Sequence, residues 1–244
     1  MLDFIGTVAI VATLVFCLSV IGAELSLRIG PRVVLTAVVG IWVGLAAAIG
    51  AAGEFADAGR RPVPLIGVAF ATPLIAAAVI AALSREARRV MLALPMPLMI
   101  GMNVPRFVGG LFLLLAAAGR LGGPFPDSAA WGDLVTALVA IPAIWWAIAR
   151  SPGRDRLIWI WNAFGALDLL AAVGLATITT PGSPLQMIDG GVGPQAMQFL
   201  PWVLIPTVLV PYWLILHGII FAQLHAVARD PQRTRGAAAL RKAA

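Results

Sequence analysis

Long apolar runs, each close to twenty residues and bounded by charged residues, proline or glycine, dominate the pattern along this chain. A helix rises 1.5 Å per residue, so about 20 mainly apolar residues are needed to cross the hydrocarbon core of a bilayer. Seven runs meet that length, at about 4–23, 32–52, 63–83, 97–118, 132–149, 157–179 and 200–221. The pattern predicts an all-α, polytopic transmembrane bundle of seven helices. It forms a single domain over 1–228, followed by a basic tail at 229–244. The first run has no basic residue ahead of it, only Asp3, and exceeds a secretory h-region, so it reads as a retained helix.

Composition agrees. Of 244 residues, 61% are apolar and 11% charged, with a mean hydropathy of +0.96, where a soluble domain carries about 25% charged residues. The single cysteine, Cys17, excludes a disulfide scaffold. The net charge of +6 reads as a topology signal. Arg28, Arg32, Arg85, Arg88, Arg89, Arg150, Arg154, Arg156, Arg229, Arg233, Arg235, Arg241 and Lys242 fall on one side, whereas only Arg60, Arg61 and Arg120 fall on the other. The positive-inside rule then places the N-terminus outside and the C-terminus in the cytoplasm of a bacterial inner (plasma) membrane. Basic residues scattered over short loops do not form a nucleic-acid surface, and the tail is expected to meet anionic lipid headgroups. Two connections on the outer side, 119–131 and 180–199, are rich in Gly and Pro, and the second is long enough for a lid or binding loop.

Charges at membrane depth are costly and call for a partner or a purpose. Arg106 lies about 12 Å in from the cytoplasmic boundary of the fourth run and Asp168 roughly 16 Å in on the sixth, by helix rise. These depths predict that the two pair inside the bundle, either as a structural link between helices or as a ligand or proton site. Asn103 shares the Arg106 face, Asn162 and His217 reach an inner level, and Trp161 shares the Asp168 face, placed to wall a cavity. Asp133 opens the fifth run near the outer mouth, where it suits the positive end of a helix dipole. Pro206 and Pro211 predict a bend in the seventh helix, and Gly40 and Gly44 have the spacing for close helix packing.

Absences narrow the chemistry. No Walker loop, His-Glu-x-x-His or Gly-x-Ser-x-Gly motif is present, which weighs against an enzyme. A retinal Schiff base is excluded because the only lysine, Lys242, lies in the tail. No cofactor is expected. A haem would require His217 alone or a partner chain, since His225 is rotated about 80° and displaced roughly 12 Å from it.

The run Arg106-x-x-Gly109-x-x-Phe112-Leu113, then Gly119, Pro124-Phe125 and Gly132-Asp133, together with Gly165-x-x-Asp168-Leu169 and His217, resembles a pattern in an uncharacterised family of seven-helix bacterial integral membrane proteins. The resemblance spans about half the chain. It brings no activity, and implies that these polar positions form one site. The sequence thus supports an intramembrane polar cavity between the fourth, sixth and seventh helices, binding or translocating a small molecule, an anion or a proton. The alternatives are an accessory subunit packing against another membrane protein or a second copy, and a haem or redox protein using His217.

Overall fold

A computed structural model gives the structure over residues 1–24, 29–57, 60–149 and 153–228, and every regular element within these residues is helical. In chain order they are α1 (Leu2–Glu24), α2 (Ile29–Ala51), α3 (Leu65–Leu83), α4 (Arg85–Ala93), α5 (Met96–Gly101), a 3-10 segment (Val104–Gly110), α6 (Leu111–Ala117), α7 (Phe125–Ala149), α8 (Arg154–Thr179), a 3-10 turn (Gln195–Gln198), a π-helical turn (Ile205–Leu209) and α9 (Val210–Ala228). Among the described residues seven stretches are long and apolar enough to cross a membrane, which fits an integral membrane protein. The tail at 229–244, with Arg28 and Arg150, lies outside the described residues.

Burial ranks the spans. About half of the fourth and seventh spans is buried (50% and 56%), against 11% and 6% for the second and third, so the fourth and seventh form the centre. Around them α7 packs on α8, α5, α6 and the 3-10 segment, and α9 packs on α8 and α3. The inward stripe of α7 is built from alanines, Ala129, Ala130, Ala137, Ala140, Ala143 and Ala147, all buried, whose small side chains let helix backbones approach. Its large apolar residues point the other way: Trp131, Leu138, Ile141 and Trp145 are exposed. That inversion of the soluble pattern suits a surface solvated by lipid.

Four features differ from the sequence reading. The fourth span is not one helix over 97–118 but three pieces, Met96–Gly101, Val104–Gly110 and Leu111–Ala117. Pro105 removes an N–H and disfavours helical geometry at Val104, while Gly101, Gly109 and Gly110 weaken the flanks. The fifth helix begins at Phe125 rather than Gly132, since Pro126 is tolerated in a first turn and Asp127 faces the positive end of the dipole. The seventh span begins at Ile205 instead of Leu200, and its first turn is π-helical around Pro206, where the helix adjusts to a missing donor. The short helix α4, in the connection after the third span, was not expected. Ser84 caps it by accepting from the Ala87 amide at 3.1 Å, and Gln223 Nε2 ties its end to α9 by donating to the Leu92 and Leu94 carbonyls.

At one end of the bundle Asp3 Oδ1 accepts from Arg120 Nη1 and from Trp202 Nε1, both at 2.7 Å. The N-terminus, the connection after the fourth span and the approach to the seventh therefore meet at one end. An even number of crossings separates each of these three points from the others, which requires that arrangement.

Candidate functional site

The broken fourth span sets the site. Its 3-10 segment carries Arg106, fully buried among three other spans, and four of the five guanidinium N–H donors have partners. Nε donates to Asp133 Oδ1 at 2.7 Å and Nη2 to Asp168 Oδ2 at 2.6 Å. Nη1 donates to the Gly165 carbonyl at 3.1 Å and to His217 Nε2 at 3.2 Å. The guanidinium also lies 5.7 Å from the Trp213 ring centroid. One side chain thus bonds α7, α8 and α9 to the fourth span.

The hydrogen-bond pattern assigns the histidine tautomer. Arginine can only donate, so His217 Nε2 accepts and the ring proton is on Nδ1, which donates to Asn162 Oδ1 at 2.8 Å. The Asn162 amide returns a bond from Nδ2 to the His217 carbonyl at 3.0 Å. Trp161 stacks at a tilt on His217, ring centroids 5.6 Å apart, and donates to the Thr136 carbonyl at 3.0 Å. It walls the imidazole rather than an open cavity. Two buried oxygens, Thr136 Oγ1 and Asn103 Oδ1, have no hydrogen-bond partner among the described residues. Asn103 donates to the Met99 carbonyl at 3.0 Å and does not join the Arg106 cluster.

Three glycines make room for the partners of Arg106. A Cβ on Gly132 would overlap the Asp168 carboxylate, and one on Gly109 would overlap that of Asp133. One on Gly165 would sit 2.7 Å from His217 Cε1. All three positions stand in the short motifs noted in the sequence, where each glycine precedes or follows a charged residue. The motif was legible in the sequence, but its physical content, a glycine against each of Asp133, Asp168 and His217, was not.

The sequence reading placed Asp133 at the start of a helix as a dipole cap. It lies two turns inside α7, because that helix starts at Phe125, and it is buried against Arg106 with 7% of its side chain exposed. It meets a cavity there. A cavity of about 370 Å³ runs from the 180–199 connection down to Asp133, between α3, α6, α7, α8 and the start of the seventh span. Its walls are mainly apolar, including Phe70, Phe112, Phe125, Leu169 and Ile205; Thr177, Thr180, Ser183 and Gln198 also line it, as does Asp57, whose Oδ2 accepts from the Leu65 amide at 2.9 Å and lies 3.7 Å from Arg61 Nε. Of the predicted site residues only Asp133 lines this cavity. Arg106, Asp168, Asn162 and His217 lie behind it in the packed cluster, because they saturate one another.

The charges do not balance. One guanidinium faces two carboxylates, His217 accepts as a neutral ring, and with both aspartates ionised the cluster carries one negative charge in excess. Asp133 Oδ1 is held by Arg106, and its second oxygen accepts no hydrogen bond among the described residues. Within those residues no group of three or more His, Cys, Asp and Glu is arranged to hold a metal ion.

No curated protein and no solved structure matches the chain. A family model described as Domain of unknown function (DUF8737) matches residues 63–225, which takes in the third to sixth spans, nearly all of the seventh, every member of the Arg106 cluster and the cavity lining apart from Phe55 and Asp57. That match covers well over half of the 244 residues, and the chain belongs to this family.

Proposed function

We propose that the protein is a small-molecule-binding integral membrane protein whose apolar cavity takes a ligand with a cationic or strongly hydrogen-bond-donating end directed at Asp133. One observation carries this reading. Asp133 belongs at once to a cluster with an excess negative charge and to the wall of the cavity. A buried net charge is costly, and a ligand cation or a proton held there removes the cost. Few convergent polar groups in a mainly apolar pocket is the usual composition of a ligand site. The same balance turns the reading away from an anion, because Arg106 is already engaged by two carboxylates. Haem ligation by His217 would have to break its bonds to Arg106 and Asn162.

The basic residues flanking the spans support an N-terminus outside and a C-terminus in the cytoplasm of a bacterial inner membrane. In that orientation the cavity lies in the outer half of the bilayer.

Three probes of one shape and different charge test the site: phenethylammonium, phenylacetate and 2-phenylethanol, added to the detergent-purified protein during thermal melting. Binding to the folded state raises the melting temperature. The ammonium is expected to raise it, the carboxylate is not, and Asp133→Asn is expected to abolish the difference while remaining folded. Equal stabilisation by phenylacetate would overturn the reading. No stabilisation by any probe, with stable co-migration of a second membrane protein, would favour an accessory role instead.

A further inference from the structure

The walls of the cavity are closed to different degrees. At the loop end the connection over 180–199 forms a packed roof. Ala196, Met197 and Gln198 are buried, Gly122 donates to the Gly193 carbonyl at 2.9 Å, and a Cβ on Gly193 would collide with the Thr179 carbonyl. Backbone so close to backbone leaves little passage for a ligand from water.

The side wall is different. It is formed by α3, through Ile66, Gly67 and Phe70, and by α8, through Val173, Ala176 and Thr177. α3 packs on α9 and α4, α8 packs on α7 and α9, and the two do not pack closely on each other. Of the cavity-lining residues on these two helices only Leu169, deep on α8, is buried; Ile66, Gly67, Phe70, Val173, Ala176 and Thr177 are half-buried or exposed. A Cβ on Gly67 would meet nothing within 4 Å. Both helices are membrane spans by length and composition, so a gap between them opens toward lipid.

We infer that the cavity is loaded sideways from the bilayer through the slot between α3 and α8, and that its ligand is a bilayer-dissolved amphiphile. Its apolar body fills the chamber and its protonated amine, or a comparable donor, lies toward Asp133. This rests on the cavity reading proposed above and adds the route and the class of ligand. Moving an apolar body from lipid into an apolar cavity gains little hydrophobic energy, because lipid tails are as apolar as the cavity wall. Selection among bilayer solutes therefore falls to the polar contacts of the lining, and among its two carboxylates to Asp133, since Asp57 is engaged by Arg61 and the Leu65 amide.

Site-directed spin labelling tests the route without a ligand. A nitroxide at Ala176→Cys, in a Cys17→Ser background and in phosphatidylcholine nanodiscs, is read by power saturation with oxygen, which partitions into lipid, and with a water-soluble nickel chelate. The expected ratio of oxygen to nickel accessibility matches that of Leu167→Cys, a 65% exposed position on the outer face of α8. Adding Gly67→Trp, which has room for the ring at the slot, is expected to lower oxygen access at position 176. Dominant nickel access, or access by neither reagent, would overturn the inference. If Ala176→Cys fails to fold, Val173→Cys carries the same reading. A label reached from lipid in a protein that ignores phenethylammonium would sink the binding site and leave the route. Nickel access in a protein that phenethylammonium stabilises would sink the route and leave the site.

Discussion

At the residue scale Arg106 decides most of the interior. Removing one partner of a buried ion pair leaves an uncompensated charge and costs about 3 to 5 kcal/mol. Arg106→Gln leaves two carboxylates facing each other, so it is expected to lose stability in that range, measured as detergent-phase melting. A loss below about 1 kcal/mol, the size of an exposed pair, would contradict the burial and bonding seen here. Because the cluster has one carboxylate in excess, Asp168→Asn should cost less than Arg106→Gln. The reverse order would mean that the second aspartate is neutral or paired elsewhere. Gly132→Ala offers a third reading of the same cluster, since its methyl group takes the space of the Asp168 carboxylate. It is expected to destabilise the protein despite the higher helix propensity of alanine. The pairing of Arg106 with Asp168 followed from depth alone, as both residues had to be near the same level. The addition of Asp133, the Gly165 carbonyl and His217 did not follow, because sequence spacing gives level along a helix but not which neighbour faces which.

At the element scale two breaks in helical geometry create the site. Pro105 and its flanking glycines convert mid-span helix to a 3-10 segment, which turns Arg106 into the bundle, and Pro206 sits in the π-helical turn that borders the cavity. The prolines were legible as breakers, but the geometry that replaced the helix was set by neighbours that satisfy the freed backbone groups. Glycines in helix 2 show the converse. Gly40 and Gly44 have the spacing of a packing motif, yet a Cβ at either would meet nothing within 4 Å. Gly40→Ala is therefore expected to be neutral or stabilising by up to about 1 kcal/mol. Gly50→Ala, whose methyl group would lie 2.8 Å from Val203 Cγ1, is expected to destabilise. Equal effects of the two substitutions would show that α2 packs differently against its surroundings.

At the scale of the whole molecule the proposed orientation gives a direct check. Asp189→Cys, in the roof connection, is expected to react with an impermeant maleimide in intact cells. Arg88→Cys, on α4, should react only after permeabilisation, with Cys17 silent because it is buried. The opposite labelling would invert the topology and place the cavity in the cytoplasmic half. The number of spans, their approximate limits and the low charge content were determined by the sequence, because hydrocarbon imposes a length and an apolar composition on any helix that crosses it. The same economy reduced the interior charges to a few residues that could be named in advance. Which of them share a cluster, and which one reaches an open cavity, depended on tertiary structure. Burial of Arg106 requires partners from several helices at once, and the lengthened start of α7 moved Asp133 from a helix end to the boundary between that cluster and the cavity. Hydropathy acts one helix at a time, whereas satisfying a buried guanidinium is a condition on all the helices around it, and only their packing can meet it.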